Sequence, residues 1–98
     1  MKHFFFTLHR LPKRDTVSDE FAQSVLQKHT AYFKELGKQG KCLMAGPFAD
    51  QKGPLGAGCY VFCAESEEEA KKMASEDPLV VEGLYEFRVY EWIKVVPE

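Results

Sequence analysis

Three things are missing from this chain: a Cys-x-x-Cys pair, an excess of Lys and Arg, and any apolar run near the roughly 20 residues that a membrane-spanning helix requires. The three cysteines, Cys42, Cys59 and Cys63, form neither an even disulfide set nor a zinc-ligand cluster. They read as reduced core residues, which predicts a reducing, cytoplasmic setting and no metal site. A formal net charge of -2 supplies no attraction to phosphate polymers or anionic lipid, so neither nucleic acid nor membrane is an expected partner. The Phe-rich start is broken by Thr7 and His9 with no small-residue cleavage site after it, and is not expected to be a signal peptide. The glycine-rich stretch Gly53 to Gly58 leads into no helix and no Lys-Ser/Thr pair, which argues against a phosphate loop. No repeat, linker or low-complexity tract interrupts the chain.

What is present is aromatic and apolar mass. Eight Phe, four Tyr and one Trp in 98 residues, with 45% hydrophobic content, suffice for one packed core, and we expect a single domain over residues 1–98. Alternating apolar residues predict a strand over Lys2 to Leu11, followed by a solvated connection from Leu11 to Val17. Ser18 or Thr16 caps a helix that carries Asp19 and Glu20 in its first turn and closes near Gly37 to Gln39. Lys41 to Phe48 and Gly58 to Glu65 read as two strands joined by a Gly- and Pro-rich loop. Ser66-x-x-Glu69 is a capping box that starts a short helix, which must end before Pro78, leaving Asp77-Pro78 as a turn. Leu84 to Val96 reads as a long final strand.

The order strand, helix, strand, strand, helix, strand is that of the ferredoxin-like split unit, an α+β fold with a four-stranded antiparallel sheet. Two helices cover one sheet face, yet large apolar groups occur on both, with Phe5 opposite Phe4 and Phe6, and Tyr90 and Trp92 opposite Val89. An open face of that character predicts a homodimer packed sheet against sheet.

On the first helix Phe21, Val25, His29, Tyr32, Phe33 and Leu36 recur at helical spacing, placing one imidazole in an apolar stripe. Such a group is either a hydrogen-bonded core histidine or an acid/base poised near neutral pH. His3 and His9, about 20 Å apart on one strand, are too distant to share a metal and read as surface or interface residues.

His29, the Gly37 and Gly40 turn, Met44-Ala45-Gly46-Pro47, Ser66-x-x-Glu69-Ala70, Asp77-Pro78, Gly83-Leu84-Tyr85 and Trp92 together resemble the YciI-like (YCII-related) family over nearly the whole chain. The resemblance implies a dimeric α+β barrel with a pocket between the first helix and the sheet. It places the family's active-site His on His29 and its Asp on Asp77. It also implies cofactor-free chemistry on a small organic ligand, of the kind run by a dehydrochlorinase branch and by muconolactone isomerase-like enzymes. On this reading His29 is the general acid/base, Asp77 orients it, and Gly46, Pro47 and Phe48 line the pocket mouth. The competing expectation is a non-catalytic ligand-binding or interaction module of the same fold, in which the His–Asp pair is structural.

Overall fold

A computed structural model describes residues 1–98. Its elements are β1 (Lys2–Arg10), a 3-10 turn (Pro12–Thr16), α1 (Asp19–Lys38), β2 (Cys42–Pro47), β3 (Gly58–Ala64), α2 (Glu67–Ser75), α3 (Pro78–Val81) and β4 (Tyr85–Trp92). The strands form one antiparallel sheet in the order β2-β3-β1-β4, the ferredoxin-like arrangement expected from the order of elements. No helix is long and apolar enough to cross a membrane.

Pairing along the centre of the sheet decides which residues enter the core. Phe4 lies opposite Phe62, and Phe6 opposite Tyr60 and Val89, so these alternate residues share the helix-covered face. Phe4, Phe6 and Phe62 have no exposed surface, and with Phe33, Leu36, Ala70 and Met73 they form the main core. Fully burying a Phe side chain is worth about 1.5–3 kcal/mol, so this aromatic cluster dominates the packing. The other face carries Phe5 between Val61 and Tyr90, with His3 beside Cys63 and Trp92. Phe5 meets Trp92 edge to face at 5.7 Å, while Tyr90 and Trp92 remain more than half exposed.

Ser18 caps α1, its hydroxyl accepting from the Phe21 amide at 3.0 Å. At the other end Gly40 takes the left-handed conformation, φ 75°, which lets the Lys41 amide reach back to the Leu36 carbonyl. The inward stripe is shifted by one residue at its start, because Ala22 is buried whereas Phe21 is 40% exposed. Ser66 caps α2, its hydroxyl accepting from the Glu69 amide at 3.2 Å, which is the serine half of the expected capping box.

The solvated connection before α1 winds into a 3-10 turn over Pro12–Thr16 with no buried residue, its Pro standing in the first turn where the missing N–H costs nothing. Three expectations are corrected. Asp77-Pro78 is more than a turn: Pro78 starts a one-turn helix, α3, with Asp77 as its cap. The last strand stops at Trp92, which pairs with His3, rather than running on to Val96. Ile93, Val95 and Val96 pair with no strand and are 72–75% exposed. Of the cysteines only Cys42 is in the core; Cys59 and Cys63 are half-buried, since alternation along β3 sends them to the side opposite Tyr60 and Phe62.

The β2–β3 loop returns through Gly56, at φ 89°, where a side-chain Cβ would run into the Leu8 carbonyl oxygen and the His9 ring. Gly56→Ala is expected to lower stability by about 1–3 kcal/mol in urea unfolding. Gly53→Ala, with open space around its Cβ position, should stay within about 0.5 kcal/mol of the parent.

Candidate functional site

The site begins with the chain reversal between α2 and β4. A residue that precedes proline is pushed out of the helical region, and Asp77 accordingly sits at φ −59°, ψ 124°. In that position its backbone carbonyl accepts from the Val80 and Val81 amides, while Oδ1 accepts from the Leu79 amide at 2.9 Å. The carboxyl group is thus held as the cap of α3, with no exposed surface.

The α1 stripe brings His29 to the same place. His29 Nδ1 lies 2.8 Å from Asp77 Oδ1, a contact spanning 48 residues of sequence. An ionised carboxylate only accepts, so Nδ1–H donates and Nε2 is left for another partner. The His29 ring also packs on Phe33, centroids 4.7 Å apart, and Phe33 packs in turn on Tyr60 and Phe62. Both the tautomer and the plane of the imidazole are therefore fixed from behind, the arrangement that second-neighbour support gives a working histidine.

A cavity of about 720 Å³ opens beside this pair, walled by α1, β2 and the start of β3. This size falls within the range of small-molecule sites, roughly 300–1,000 Å³. His29 lines it and keeps 21% of its side chain exposed, so the imidazole is reachable, whereas Asp77 is sealed behind it. Gly46 and Pro47 line it as well. Phe48 does not line the cavity: its amide turns to the Ala57 carbonyl at 2.8 Å, carrying the chain into the loop.

Tyr60 is a lining residue that spacing alone did not indicate. Its ring is stacked on Phe6 at 4.8 Å, and its hydroxyl and Asp77 Oδ2 are both buried without a protein partner. Burial, then the nearby Asp77 carboxyl, pushes the Tyr60 phenol well above its ordinary range, so it stays protonated. Tyr32, whose hydroxyl donates to the Met73 carbonyl at 2.7 Å, is pushed up to about 12, chiefly by burial and then by Glu76 and Asp77. Burial likewise raises the Cys42 thiol, which keeps it a poor nucleophile. No group of three or more His, Cys, Asp or Glu side chains is placed to hold a metal ion. His9, bonded to Thr7 Oγ1 at 2.8 Å, does not line the cavity and alternates with Phe6 and Leu8 along β1, which puts it on the other side of the sheet.

A ferredoxin-like α+β chain with a helix-borne histidine, backed by a buried carboxyl and facing a small-molecule cavity, defines the class of protein. Residues 4–93 match the YCII-related domain, and the chain belongs to that family. It is 35% identical over 75 residues to the uncharacterized protein YjpA of Bacillus subtilis (strain 168), covering 76% of this chain and 84% of that protein. Among solved structures it is similar to 5-chloro-2-hydroxyhydroquinone dehydrochlorinase (TftG) from Burkholderia phenoliruptrix AC1100, in complex with 2,5-dihydroxybenzoquinone. That likeness has a TM-score of 0.61 at 22% identity over 95% of this chain and 94% of the other, and shows the shared fold.

Because Asp77 serves both α3 and His29, its substitutions should separate the two roles. Asp77→Ala removes the cap and the imidazole's partner and should cost about 1–3 kcal/mol. Asp77→Asn keeps an acceptor oxygen at the cap and should unfold in urea within about 1 kcal/mol of the parent.

Proposed function

We propose that this chain is a small acid/base enzyme of the lyase or isomerase type, acting on a small organic molecule, with His29 as general acid/base and Asp77 as its orienting carboxylate. The observation that carries this is a hydrogen-bonded His–Asp pair whose imidazole opens onto a cavity while its carboxyl is sealed from water. Nε2 takes a proton from a carbon or hydroxyl of the bound molecule. The electron pair left behind then either moves a double bond or expels a leaving group such as chloride. In an isomerisation the imidazolium returns the proton to another atom; in an elimination it gives the proton to solvent. Asp77 stabilises the charged ring in between and keeps it from rotating. No cofactor enters this scheme. Gly46 and Pro47, which line the cavity, are its proposed mouth, the glycine letting the backbone come close to a bound molecule. That a protein of the same fold binds 2,5-dihydroxybenzoquinone supports a small ring as the kind of molecule accommodated. A reducing, cytoplasmic location fits three unpaired cysteines.

The homodimer belongs to the same reading. Phe5, Val61, Tyr90 and Trp92 form a continuous apolar surface on the sheet face that no helix of this chain covers. A second copy packed sheet against sheet would bury it. Light scattering should give a mass twice that of the chain, and Trp92→Glu, which places a charge in that face, should yield a folded monomer. A wild-type monomer at micromolar concentration contradicts the dimer.

Acid/base action is tested on a panel of hydroxylated aromatics, halogenated phenols and lactones. For any compound turned over, His29→Gln should reduce kcat by about 10²–10⁴ while leaving the fold and the oligomer intact. A purely binding module of this fold predicts no turnover of any member and a stability loss in His29→Gln. Turnover at the parent rate in that variant rules out the assignment.

A further inference from the structure

The cavity walls carry charge of one sign. Arg10, Arg14 and Lys34 line the cavity and no Asp or Glu does, in a chain whose formal net charge is -2. The three cations come from the end of β1, the 3-10 turn and α1, so it is the fold that gathers them. They are not equally free. Arg10 is ion-paired with Asp15, whereas Arg14 and Lys34 make neither an ion pair nor a side-chain hydrogen bond. Arg14 is also half-buried. Asp19 lines a smaller pocket next door together with Arg14, yet does not come within ion-pairing distance of it. The Asp77 carboxyl, hidden behind His29, adds no negative surface to the cavity.

A partly desolvated guanidinium with no carboxylate partner, in a cavity whose lining includes a second, exposed unpaired cation and an apolar wall, is complementary to an anion with an apolar body. Arg offers such an anion a planar, bidentate fork, and the concave site focuses the field of both charges. We propose that the cavity takes a small organic carboxylate, its anionic end held by Arg14 and Lys34 and its apolar ring or chain laid against Leu26 and Phe33, which brings the body of the molecule to His29. This rests on the reading of the same cavity as the site of His29 chemistry, and it narrows the substrate class to carboxylates carried on an apolar frame.

Two probes of matching shape separate charge from fit: 4-hydroxybenzoate and its neutral counterpart 4-hydroxybenzamide, titrated into the ¹⁵N-labelled protein and followed by amide shifts. The anion should move the Gly37 and Gly46 amides and bind about tenfold more tightly than the amide. Arg14→Gln and Lys34→Gln should each remove most of that preference. Because both cations are within reach of solvent, raising the salt should weaken the anion alone. His29→Gln should keep the preference, since it depends on the cations. A surviving preference in that variant, combined with parent-rate turnover, would remove the acid/base reading and leave this one standing. The proposal is overturned by equal affinities, by a preference that neither cation variant changes, by shifts confined to another surface, or by no binding of either probe at millimolar concentration.

Discussion

Taking a carboxyl group fully out of water costs several kcal/mol unless hydrogen bonds replace the lost solvation, and that cost organises the region around Asp77. The Leu79 amide and His29 Nδ1 both bond to Oδ1, one from the first turn of α3 and one from the middle of α1. Pro78 disfavours helical geometry at Asp77 and starts α3, which suits Asp77 to the cap position. A single buried oxygen therefore joins three elements: the end of α2, the start of α3 and the centre of α1. The cavity opens beside this junction, between α1, β2 and the start of β3.

The sheet divides the molecule's tasks between its two faces. The helix-covered face holds the aromatic core, and Phe33 belongs both to that core and to the wall behind His29. Packing and site are thus continuous: the ring that fills the core is also the ring that the imidazole packs against. The other face, with Phe5, Tyr90 and Trp92, takes no part in the cavity's His–Asp geometry and is the surface through which copies of the chain are proposed to meet.

Much of this was legible in the residues, and the reasons differ from one element to the next. Helix starts were readable because Ser18 and Ser66 carry their own cap chemistry, and the first strand because Phe4, Phe6 and Leu8 recur at every second residue. The end of β4 was not readable. Ile93, Val95 and Val96 have strand-forming side chains, but a strand needs a pairing partner, and the register of β4 on β1 goes no further than Trp92 with His3. Phe48 misled for a similar reason, since an aromatic after Gly-Pro suits a pocket mouth until the loop's own hydrogen bond turns it aside. Cys59 and Cys63 are small apolar side chains wherever they lie, and only the register of β3 sends them away from the core.

The sequence by itself determined the order of elements, the helix caps, the inward-facing His29 and the proline-restricted Asp77, because each depends on contacts within a few residues. The tertiary structure alone decided that the two side chains meet at 2.8 Å, that Tyr60 lines the same cavity, and that Arg14 and Lys34 share its wall. Those relations join residues tens of positions apart, and no local pattern of spacing or propensity encodes a distance across the fold.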